Sequence, residues 1–110
     1  MDYEFEKKWQ ELLKKIEQNF QMPPDLQGIL FLIGVQELGK GYGKFKKDEK
    51  LNLMHIAICR LLEPYGYYDF DGNDPDGWPH YTATKKLPSL APGQQQQLIR
   101  EAILDYFIEL

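Results

Sequence analysis

The chain has 110 residues, 43% of them hydrophobic, 14% aromatic and 27% charged, with a net charge of −4. This composition excludes a wholly disordered chain and suits one soluble domain with its own core. The acidity argues against a dedicated nucleic-acid binder, which is basic overall.

The first predicted element is a helix over 2–20. Phe5, Trp9, Leu12, Leu13, Ile16 and Phe20 form one apolar stripe at helical spacing, with Glu4, Lys7, Lys8, Glu11 and Lys14 on the other side. A second helix is expected over 24–38, opened by Pro24, whose missing N–H is no loss in a first turn. Its run Ile29 to Val35 leaves almost no polar face, so it should be central, and Gly28 and Gly34 should admit a close neighbour. The run is too short to cross a membrane. A third helix is expected over 47–62, with Leu51, Met54, Ile58 and Leu61 as its buried stripe, widened by Ala57 and Leu62. Asp48 and Glu49 lie in its first turn, where the helix dipole favours them. Pro64 and Gly66 stop it. A fourth helix is expected over 91–109, with Ser89 as a cap and Leu98, Ile99, Ala102, Ile103, Tyr106, Phe107 and Leu110 facing inward.

Residues 65–87 interrupt this helical pattern between the third and fourth helices. Tyr67–Phe70 and His80–Thr84 are rich in aromatic and β-branched residues and could pair as a short hairpin across the turn-forming 71–79. The expected fold is therefore mainly α: a four-helix, bundle-like single domain carrying one aromatic and acidic, turn-rich insertion.

Chemistry concentrates in that insertion. Tyr65 to Tyr81 holds six aromatics, four aspartates, His80 and no lysine or arginine. Asp69, Asp71, Asp74 and Asp76 are candidate cation ligands, yet the calcium-loop pattern fails: starting from Asp69, its glycine position is Asp74 and its closing glutamate is His80. The competing reading is that these carboxylates cap turns. Of the aromatics, Tyr67, Tyr68, Phe70, Trp78 and Tyr81, with His80, are the candidate interaction residues. Most should cover the core, Trp78-Pro79 as a lid, and one or two should remain at the surface. His55 and Cys59, at i,i+4, could ligate zinc with His80 or form a thiol–imidazole pair, though the apolar helix around them favours a packed cysteine.

Lys40, Lys44, Lys46, Lys47 and Lys50 outnumber Asp48 and Glu49, whereas Arg60 to Asp76 sets Arg60 against Glu63 and four aspartates. The lysines among Gly39, Gly41 and Gly43 could hold an anion at the start of the third helix, but the spacing matches no phosphate-loop motif. Opposite charge on two segments of one small chain favours head-to-tail self-contact or steering of a charged partner.

The segments LQGILFLIGVQELGKG, LMHIAICRLLEPYGYY and DPDGWPHY together resemble small bacterial proteins of uncharacterised function. The resemblance implies no activity, cofactor or catalytic residue. The residues favour a non-enzymatic domain acting through a protein partner or self-association, with no cofactor. The alternatives are a small metal-dependent or acid–base enzyme using the Asp/His cluster, and phosphate or nucleic-acid binding by the lysines. The lone Cys59 allows no internal disulfide, and the charged start MDYEFEKKWQELL has no apolar signal segment, so a reducing, cytoplasmic setting is expected.

Overall fold

The computed structural model describes residues 3–21, 25–39, 44–86 and 88–108. It is mainly helical: α1 (Tyr3–Phe20), α2 (Leu26–Leu38), α3 (Lys47–Leu62) and α4 (Pro92–Tyr106), with a 3-10 turn at Glu63–Tyr65 and a two-stranded hairpin, β1 (Tyr68–Asn73) and β2 (Pro79–Ala83), between α3 and α4. None of these helices is long and apolar enough to cross a membrane.

The main core draws on every helix. Trp9, Leu12 and Ile16 of α1 meet Ile29, Leu32 and Ile33 of α2, Ala57 and Leu61 of α3, and Ala102, Ile103 and Phe107 around α4. The apolar stripe of α1 is thus read correctly, and α2 is central as its composition requires. Helix α2 packs most extensively along α3, and α4 bridges α3 to α1. The α2–α3 crossing turns on Gly34. A β-carbon there would sit 2.7 Å from the carbonyl carbon of Leu53 and 2.9 Å from its Cβ, so only glycine permits this approach.

That crossing corrects only the start of the expected α3 stripe: Ala57, Leu61 and Leu62 are buried, and Met54 and Ile58 are partly buried against the main core, but Leu51 is not. Leu51 is 59% exposed, while Leu53, Ile56 and Cys59 are buried. Leu51 shares the helical spacing of that stripe, but α2 docks on the face carrying Leu53.

Helix ends correct two further expectations. Helix α2 is capped by Asp25, whose carboxylate accepts from the Gly28 amide at 2.6 Å; the expected opening residue Pro24 lies outside the described residues. Helix α4 is capped at Ala91 and not Ser89, because Pro92 takes the first helical position and leaves the residue before it as the boundary. The Gln94 side chain reaches back to accept from the Ala91 amide at 3.1 Å. The helix then ends at Tyr106, short of the expected 109, although Phe107 still closes on Ile103. Helix α3 has the expected bounds. Beyond it Gly66, at φ 82°, turns the chain and donates its amide to the Glu63 carbonyl.

The hairpin is antiparallel, with Tyr68 opposite Ala83 and Phe70 opposite Tyr81. A bulge at Asp71 shifts the register so that Gly72 faces His80. Pairing continues to Asn73 and Pro79, so the strands run further into the 71–79 segment than turn chemistry alone indicates. Both strands lie against α3.

Candidate functional site

The hairpin turn is organised by one carboxylate. Asp74 accepts from the amides of Asp76 and Trp78 through Oδ1, each at 2.9 Å, and its Oδ2 meets His80 Nε2 at 2.9 Å. The imidazole contact, followed by these amides, holds the Asp74 carboxyl below its ordinary range. Asp71 is bonded to the Thr82 hydroxyl across the strands, and Asp69 is exposed on β1. Among the described residues no group of three or more His, Cys, Asp or Glu side chains is placed to hold a metal ion. Asp69, Asp71, Asp74 and Asp76 are therefore not gathered around one point. Asp74 and His80 meet on the outside of the turn, where the imidazole is 60% exposed and one carboxylate oxygen is committed to the backbone.

Most aromatics of the segment pack on the helices, and Phe70 stays exposed. Tyr65, Tyr67 and Tyr68 pack on the main core. Trp78 covers a second cluster of Val35, Leu38 and Leu53, with Phe31 and Phe45 beside it. Phe70 is 50% exposed and leans on Tyr81, ring centres 5.4 Å apart.

The remaining sequence candidates lie apart from the hairpin. Lys44, Lys46, Lys47 and Lys50 are exposed around the start of α3, and Lys40 lies outside the described residues. His55 Nε2 is 3.6 Å from Cys59 Sγ, but the thiol is buried and burial pushes it up to about 11. A nucleophilic or metal-bound cysteine needs the opposite shift. At pH 8 the native protein should react with a thiol reagent about a hundredfold more slowly than the urea-unfolded chain, whose thiol returns to the ordinary value near 8.5. Equal rates would show Cys59 to be accessible in the native fold.

A different group of side chains converges between the hairpin and the helices. Glu37 of α2, Arg60 of α3, Glu63, Phe70 and Tyr81 line a cleft of about 270 Å³. Arg60 Nε forms an ion pair with Glu37 Oε1 at 3.2 Å, and the Tyr106 hydroxyl of α4 donates to Glu37 Oε2 at 2.7 Å. The Arg60 guanidinium also lies 5.4 Å above the Tyr106 ring. Arg60 is thus held by a carboxylate and an aromatic face. The Glu63 carboxylate has no such partner among the described residues. Burial, and then the charges of Glu37 and Glu63, push the Tyr81 hydroxyl up to about 12. Burial and the hydrogen bond to Glu37 push Tyr106 up as well.

These phenols stay neutral far above physiological pH, which makes them poor proton-transfer groups and good fixed dipoles. The sign of their linkage follows. Raised values favour the folded state fully below the ordinary tyrosine range near 10, and that contribution is lost as pH rises through about 12. A tyrosinate absorbance titration should show a late step that Tyr81→Phe and Tyr106→Phe each diminish, with stability falling across the same interval. An unchanged late step would place these hydroxyls elsewhere.

Sequence reasoning missed this cleft. In the sequence Arg60 and Glu63 read only as charges at the start of the acidic segment, and Tyr106 as part of a core stripe. Tyr106 and Glu37 are 69 positions apart, and no local spacing signals such a pairing. A larger hollow of about 570 Å³ runs between α1 and α4 over Phe5, Leu12, Leu104 and Phe107. Its rim carries Lys8, Lys15, Glu101 and Asp105, mixed charges on exposed helix faces, so it offers less directed chemistry than the smaller cleft. No protein-family model, no curated protein and no solved structure matches the chain.

Proposed function

We propose that the protein is a non-enzymatic interaction domain whose docking surface is the Phe70–Tyr81 face of the hairpin and the cleft beneath it. In this reading the four helices act as a bundle-like scaffold, and a protein partner or a second copy occupies the hairpin face. One observation carries the reading: Phe70 stays half exposed at the mouth of a cleft lined by charged side chains, while Trp78 and the neighbouring tyrosines are packed. A rigid aromatic beside a partly closed cleft is the kind of anchor that dominates protein interfaces. The neutral phenols and the compensated Arg60 support binding over proton transfer.

Phe70→Ser tests this directly. The variant should keep its melting temperature within a few degrees, because the ring is half solvated, and should lose association. Association is read as self-association by sedimentation equilibrium and as captured proteins by mass spectrometry. If neither depends on Phe70 in a folded variant, the reading fails.

A further inference from the structure

The start of α3 carries a basic segment. Lys44, Lys46, Lys47 and Lys50 are exposed, and among the described residues no ion pair joins them to a carboxylate. The nearby Glu49 carboxylate is already engaged, accepting from the Lys46 amide at 2.8 Å. Toward the other end of α3, the cleft has the complementary need. Glu37 is satisfied by Arg60 and Tyr106, whereas the Glu63 carboxylate beside Phe70 and Tyr81 has no ion-pair partner among the described residues. An ammonium group set between an unpaired carboxylate and two aromatic rings is favoured by charge and by the ring faces. The residues from Tyr65 to Tyr81 add four aspartates and no cation, so the surrounding field attracts a basic segment and repels an acidic one.

Both halves of this complement are on one chain. Resting on the docking surface proposed above, we propose that its occupant is a second copy of this protein, presenting the Lys44–Lys50 segment to the Glu63–Phe70–Tyr81 cleft. The two patches are different surfaces, so the contact is heterologous: each molecule offers one basic and one acidic side, and association can continue past a dimer. The contact rests on exposed charges and is weakened by salt.

The test uses the full chain in sedimentation velocity at low salt, with two variants that each remove one side. Glu63→Lys removes the acidic side, and Lys46→Glu/Lys47→Glu removes the basic side while placing carboxylates where the helix dipole favours them. The wild type should form dimers and larger species, at least about tenfold more weakly in high salt. Each variant alone should be monomeric, and their mixture should stop at a one-to-one dimer through the single intact pair of surfaces. Phe70→Ser serves as a second acidic-side variant if Glu63→Lys does not fold. A wild type that stays monomeric at millimolar concentration overturns the inference. So does a lysine variant that assembles like the wild type. If assembly is lost in Phe70→Ser but kept in the lysine variant, the docking surface stands and a face other than the Lys44–Lys50 segment of the second copy occupies it, which overturns the inference. If assembly persists in both, the surface itself is wrong.

Discussion

Gly34→Ala should lower the stability of the protein by about 2 kcal/mol, a fall in melting temperature of roughly 10 °C for a domain of this size. In an isolated helix the same change would be stabilising by about 1 kcal/mol, because alanine is the better helix former. Here the new methyl group would meet the Leu53 carbonyl carbon at 2.7 Å and its Cβ at 2.9 Å. Those atoms belong to the α3 backbone and the root of a buried side chain, so no rotamer change can make room. The helices must separate, and Val35, Leu38, Leu53 and the ring of Trp78 loosen together. Gly93→Ala is the matched control. Nothing lies within 4 Å of its added Cβ, so it should be neutral or slightly stabilising. Urea denaturation of the two variants separates the effects, and equal stabilities would show that α2 and α3 do not cross at Gly34.

Trp78→Ala should have the second-largest effect and should differ in kind from Phe70→Ser. Trp78 is anchored twice: its ring covers the Val35–Leu38–Leu53 cluster, and its amide is held by Asp74 at 2.9 Å. Truncation leaves the amide bond and strips the ring, uncovering apolar surface between α2 and α3. A fully buried tryptophan costs about 3–5 kcal/mol when cut to alanine. Trp78 is partly exposed, so about 2 kcal/mol is expected. Association per folded molecule should be unchanged. Phe70→Ser has the opposite profile, since Phe70 is 50% exposed and leans on Tyr81 within the hairpin. Chemical denaturation paired with sedimentation of both variants checks the contrast. Loss of association in a folded Trp78→Ala protein would move the docking surface toward the hairpin turn.

The His55–Cys59 pair shows why residue types at a suggestive spacing are weak evidence for chemistry. Helical geometry does bring the two side chains together, at 3.6 Å. Burial then pushes the thiol up to about 11, which removes the reactivity the spacing implied. The aspartates teach the same point. Their number drew attention to a cation, while Asp74 uses its oxygens to close a turn and Asp71 bonds Thr82.

The sequence by itself determined the elements that local physics controls. Apolar residues at helical spacing placed α1, a run with no polar face made α2 central, and Pro64 and Gly66 ended α3 because neither continues a helix. Two segments rich in aromatic and β-branched residues around turn formers indicated the hairpin. The tertiary structure alone decided which apolar residue in the first turns of α3 is buried. Leu51 and Leu53 are equally apolar, and the choice between them depends on where Gly34 lets α2 approach. It also decided the charged cleft, since Glu37, Arg60, Glu63, Tyr81 and Tyr106 come from three helices, a 3-10 turn and a strand. Such a site is a product of packing between distant segments, and no periodicity or motif along the chain encodes it.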